Sequence, residues 1–141
     1  MDIISFSTHD VSFTLKDKLL LRSFLPTIFI QENIDFASVS YVFCSDGYLL
    51  TLNKRYLDHD TYTDILTFTF SEANLPIISE IYISIDRVKE NSKNLKVQFK
   101  EELHRVMIHG ILHLCGYSDH TAGLKQEMRK KEDFYLSQLT Q

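Results

Sequence analysis

TDILTFTFSEANLPIISEIYISI, residues 63–85, contains two runs in which apolar and polar residues alternate: TDILTFTF (63–70) and EIYISI (80–85). Alternation with a period of two sends successive side chains to opposite faces of a strand. The two runs follow each other without an intervening helical pattern, so they are expected to pair antiparallel. Upstream, SVSYVFC (38–44) is a β-branched and aromatic run and reads as a further strand. DIISFS (2–7) reads as the first strand, and VSFTL (11–15) extends its pattern. Between these, residues 16–33 carry Leu19, Leu20, Phe24 and Ile28 at helical spacing, with Pro26 expected to kink or restart the helix. Asp46 reads as the N-cap of a short helix through LLTLNKRYL. Downstream, residues 86–94 read as a helix, 98–115 as a long apolar-faced helix ended by Gly116, and about 122–138 as a last charged helix. The order β-α-β-α-β-β-α-α-α predicts an α/β (α+β) fold with some parallel pairing. We expect a single domain over residues 1–141, a mixed sheet of about four strands with helices packed on it.

Composition narrows the function classes. The 141 residues are 44% hydrophobic and 24% charged, which suits a globular domain with a real core. The opening MDIISFSTHD lacks the features of a signal peptide, and no apolar run approaches the roughly 20 residues that cross a bilayer. Two cysteines, Cys44 and Cys115, make no disulfide framework, so a reducing cytoplasm and no membrane partner are expected. Fifteen basic against nineteen acidic residues argue weakly against nonspecific polyanion binding, and no DNA partner is expected.

HGILHLCGYSDH, residues 109–120, gathers three of the six histidines and one aspartate. His109 and His113 are spaced i, i+4, so on a helix both imidazoles project from one face, as a tetrahedral zinc ion requires of two nitrogen donors. Gly116 can close the helix and turn the chain back, bringing a third ligand, Asp119 or His120, to the same ion. Three protein ligands would leave a fourth position for water, the pattern of a catalytic zinc. His104 lies about 140° round the helix from His109 and is not expected to be a ligand; His9 and His59 read as surface histidines. The residue after the first histidine is Gly110, where zinc proteases of the His-Glu-x-x-His type carry their general base, which disfavours peptide hydrolysis.

HGILHLCGYSDH resembles the signature segment of the YbeY family, metal-dependent endoribonucleases of ribosomal RNA maturation. SYVFCSDGYLLTLNKRYLDHDTYTDILTFTF (40–70), EIYISIDRVKEN (80–91) and QEMRKKED (126–133) resemble its other blocks in the same order. The resemblance implies a mixed α/β fold with zinc in a cleft and the metal site at the end of the long helix. It also implies single-stranded RNA as substrate, 16S ribosomal RNA maturation and ribosome quality control as the task, and the ribosome or its proteins as partners. Carried over by position, the first two family ligands fall on His109 and His113. In the commonest form of the motif the third sits six residues after the second histidine. Without a gap that residue is Asp119, as in a branch of the family with Asp after Gly-Tyr-x; His120 reaches the place only through an insertion. His109, His113 and Asp119 are thus the expected catalytic and zinc-binding set. The family also commonly has an arginine, suited to a phosphate, where this chain has Leu57; Lys54 or Arg55 can supply that charge, or both are a solvated helix face.

Thr63 and Asp64 read either as cleft residues or as turn residues. Arg105, one turn before His109, reads as a phosphate contact or, preferably, an ion-pair partner of Glu101 or Glu102. Cys115 reads as buried packing, and the run MRKKED as a solvated surface. No general base stands in the motif. The rival readings are a zinc hydrolase of peptides or small molecules, a ribosome-associated binding module with a non-catalytic zinc, and a metal-free domain.

Overall fold

The computed structural model describes residues 3–58 and 62–140, and His59 lies outside them. The elements run β1 (Ile4–His9), α1 (Lys18–Gln31), β2 (Phe36–Cys44), α2 (Asp46–Leu57), β3 (Ile65–Thr69), β4 (Ile77–Ser84), α3 (Ile85–Leu95), α4 (Phe99–Leu114) and α5 (Ala122–Leu139). The sheet order is β1-β2-β4-β3. β1 and β4 both pair parallel with β2, and β3 pairs antiparallel with β4, with Leu66 opposite Tyr82. The expected mixed four-stranded α+β architecture is therefore present. Among the described residues no helix is long and apolar enough to cross a membrane.

Alternation along the strands decides the two faces. Val39, Tyr41 and Phe43 of β2 and Ile81 and Ile83 of β4 enter the main core with Leu25, Ile28, Val88, Met107 and Ile111 of the helices. The Tyr41 hydroxyl is buried there and donates to the Met107 carbonyl at 2.8 Å, which meets the need of a phenol taken out of water. The opposite face holds a smaller cluster, Cys44, Leu49, Leu52 and Leu66, with Tyr48, Phe68 and Tyr82 against it, where α2 lies.

Several boundaries differ from the sequence expectation. Asp10 takes a left-handed φ of 54° and turns the chain after β1, so VSFTL continues no strand. Pro26 sits inside one unbroken α1: only its own amide bond is necessarily lost, while Leu21, Leu25, Ile28 and Phe29 remain on the buried side. The N-cap of α2 is Ser45, whose Oγ accepts from the Tyr48 amide at 3.1 Å; Asp46 is the first helical residue. β4 starts at Ile77, three residues earlier than the clean alternation.

Candidate active site

α4 carries His109 half-buried on its flank and His113 one turn later, exposed. Gly110 explains why no acid follows the first histidine. A Cβ at that position would sit 3.0 Å from Ile65 Cδ1 and 3.1 Å from Ile81 Cδ1. The helix rests on the sheet there, so position 110 is a packing contact and faces no substrate.

α4 closes in a Schellman motif. Gly116, at φ 104°, donates to the His113 carbonyl at 3.0 Å, and Tyr117 donates to the Leu112 carbonyl at 3.1 Å. The chain then doubles back to α5, capped by Thr121, whose Oγ1 accepts from the Leu124 amide. The return is pinned at Tyr117, whose hydroxyl donates to Glu32 Oε1 at 2.7 Å. Asp119 and His120 lie exposed on it.

α5 supplies a residue that the reading of MRKKED as solvated surface missed. Glu132 has a side chain 7% exposed, and its Oε2 lies 2.7 Å from His109 Nδ1. Its other oxygen accepts from Arg105 Nη1 at 3.1 Å, and Arg105 also bonds Asp133 at 2.8 Å. Arg105 is thus an ion-pair residue, but its partners are on α5 rather than Glu101 or Glu102. The signal for Glu132 was available: it falls on the same stripe as Met128, Tyr135, Leu136 and Leu139, all buried. With Nδ1–H donating to Glu132, Nε2 is the His109 nitrogen left for a ligand.

Asp64 precedes β3 at the end of the sheet where the parallel strands finish, its carbonyl accepting from the Ser84 amide at 2.9 Å. Burial pushes its carboxyl above the usual range, His109 and Arg87 pull it down, and Glu132 pushes it up. Burial alone would lower the His109 pKa, but the Glu132 hydrogen bond and charge, with Asp64 and Asp119, raise it. Glu102 is likewise raised, first by burial and then by Asp64, against Arg105 and Arg129. Asp64 is half-buried and acts by its charge on His109, though it does not line the cavity that His109 borders.

His109, Asp119, Lys125, Arg129 and Glu132 border an open cavity of about 360 Å³. His113 and His120 do not line it, and among the described residues no three His, Cys, Asp or Glu side chains converge closely enough to hold a metal ion. Of the three expected ligands, His109 alone has the surroundings usual for a metal-binding histidine. Its imidazole is braced by a buried carboxylate, and the fields of Asp64, Asp119 and Glu132 all fall on it.

The remaining candidates lie elsewhere. His104 is buried, and burial lowers its pKa. The exposed His9 packs its ring 4.0 Å from that of Tyr48. Cys115 is half-buried, its thiol pushed up to about 12 by burial and then by Glu32. Lys54 and Arg55 lie on the exposed side of α2, and Leu57 is 40% exposed.

Residues 3–140 match the family model described as Endoribonuclease YbeY. A protein named Endoribonuclease YbeY from Cytophaga hutchinsonii is 46% identical over 96% of this chain and 95% of its own length. One of the same name from Amoebophilus asiaticus is 41% identical over 94% of this chain and 90% of its own. The solution structure of a Thermotoga maritima protein superposes with a TM-score of 0.64 at 30% identity, covering 96% of this chain and 88% of that one.

Proposed function

This chain belongs to the YbeY family of endoribonucleases, hydrolytic nucleases acting on RNA, and on that footing we propose that it cuts single-stranded ribosomal RNA during 16S maturation and ribosome quality control, with a zinc ion held by His109, His113 and Asp119. The cytoplasm, with the ribosome as partner, is the setting this reading requires. The observation that carries it is the His109 imidazole, tied through Nδ1 to the buried Glu132 and turned to the cavity that Asp119 borders. Metal-binding histidines are ordinarily oriented by such an outer carboxylate.

Zinc in a site of this kind supplies Lewis acidity to a phosphoryl oxygen and a nucleophile derived from water near pH ~7. The chain's own residues do the rest. Glu132 holds the His109 ring in one tautomer, and Arg105 holds Glu132 in place. Asp64, whose charge acts on His109, is the proton acceptor that this reading assigns, since the motif itself lacks a base. Lys125 and Arg129 on the cavity wall are the cations within reach of an RNA phosphate. A peptide hydrolase built on this motif would need its base at position 110, which is closed by the sheet.

Bound zinc and cleavage of a single-stranded RNA are to be measured together for wild type, His113→Ala, Asp119→Ala and His120→Ala. The proposal expects zinc and cleavage to fall in the first two variants and to survive in the third. Zinc retained in Asp119→Ala and lost in His120→Ala would move the third ligand to His120. Undiminished cleavage after stripping the metal would end the zinc assignment, and zinc without cleavage would point to a binding module.

A further inference from the structure

Tyr62, two residues before Asp64, is 57% exposed. Its hydroxyl makes no hydrogen bond among the described residues, and its one described partner is Arg87, whose guanidinium carbon lies 5.2 Å from the ring centroid. Arg87 is itself fixed. Its Nη2 donates to Asp46 Oδ2 at 2.9 Å and its Nε to Asp46 Oδ1 at 3.5 Å, while Asp46 Oδ1 also accepts from Ser84 Oγ at 3.1 Å. The bridge from Nη1 to Glu90 at 3.5 Å ends on a side chain 61% exposed and holds weakly.

This pair is linked to His109 through Asp64. One turn along α3 from Arg87, Asn91 donates to Asp64 Oδ2 at 3.5 Å, and Asp64 acts by its charge on both Arg87 and His109. A ring that is mostly in water and backed by a single immobilised guanidinium adds little to the core. It has the form of a stacking platform, as proteins that take single-stranded RNA present to unpaired bases.

We propose that Tyr62, backed by Arg87, is a nucleobase-stacking subsite for single-stranded RNA. The proposal rests on RNA being the substrate and is independent of which residues hold the metal. Because Asp46 and Glu90 balance the charge of Arg87, the platform takes the face of a base and not a phosphate. Its contribution is therefore insensitive to salt, and every base is accepted.

The test is binding of a fluorescent single-stranded oligoribonucleotide of mixed sequence to the full chain, followed by anisotropy at two salt concentrations. Tyr62→Ala is expected to weaken binding about tenfold at both, as loss of one base stack does. Tyr62→Phe should stay within about twofold of wild type, Tyr62→Leu should resemble Tyr62→Ala, and KM for cleavage should rise with kcat unchanged. Thermal unfolding of each variant confirms that the exposed substitution leaves the fold intact. Wild-type affinity in a folded Tyr62→Ala, or full rescue by leucine, overturns the subsite while leaving the nuclease reading standing. Failure of the wild-type chain to bind the single strand overturns both.

Discussion

The two carboxylate oxygens of Glu132 serve different partners, one His109 and the other Arg105, and a single substitution separates their charge from their shape. Glu132→Gln keeps an acceptor for the imidazole but removes the charge. Zinc affinity and RNA cleavage are then expected to fall about 10–100-fold, as for other outer partners of metal-binding histidines; a competition titration and a cleavage assay check this. The proton of His109 gives an independent readout in zinc-free protein. Its folded pKa lies above the ordinary 6.5, because Glu132 outweighs the burial that would lower it. The stability from this proton is therefore full below 6.5 and is lost as pH rises through the raised folded value. In Glu132→Gln burial remains and the charge is gone, so the His109 titration, followed by NMR, should move to lower pH. At this scale the site was half legible. The i, i+4 histidines stand out from any surrounding sequence. Glu132 hides in MRKKED because charge runs ordinarily face water, and only the position of one glutamate on the buried stripe distinguishes it.

Where α4 crosses the sheet, Gly110 sets how closely the helix can approach, and with that where His109 sits relative to Asp64. Gly110→Glu, which would recreate the zinc-protease motif, drives a carboxylate between Ile65 and Ile81. It should lower the unfolding free energy by about 3 kcal/mol through overpacking and an unpaired buried charge, and create no peptidase activity. Urea denaturation and a peptide-cleavage assay measure the two outcomes. At the end of the same helix, Gly116 at φ 104° accepts no Cβ without strain. Gly116→Ala should cost about 1–2 kcal/mol in the same denaturation experiment and loosen the return that carries Asp119. Elements were the most legible scale, because periodicity reports burial and burial is what an element is for. β3 and β4 announce themselves by alternation, and α4 by its apolar face. What failed was decided by single residues acting locally: Asp10 ending β1 with a left-handed turn, Ser45 capping α2 in place of Asp46, and Pro26 tolerated because tertiary burial held α1 together.

Across the whole molecule, one carboxylate ties the first third of the chain to the last. Glu32 caps the end of α1, accepts from Tyr117 on the return after α4 at 2.7 Å, and from Lys131 on α5 at 3.1 Å. The Tyr135 hydroxyl of α5 donates to it as well. No local pattern pointed to this residue, since its partners lie roughly a hundred positions away and only the folded topology brings them together. Burial would raise the Glu32 pKa, but the Tyr135, Tyr117 and Lys131 donors outweigh it and hold the carboxyl below 4.5. Its contribution to stability is therefore present above 4.5 and is lost as pH falls through the lower folded value. Glu32→Ala leaves the partly buried Tyr135 and Tyr117 hydroxyls without their acceptor and should cost about 2 kcal/mol at neutral pH. Glu32→Gln retains an acceptor and should cost less, yet remove the acid-dependent part. Urea denaturation as a function of pH separates the two: between pH 6 and 3 the wild-type curve should fall more steeply than that of Glu32→Gln. Parallel curves would mean that Glu32 titrates alike in the folded and unfolded chain, and that the link between α1 and the Asp119 return contributes packing without charge.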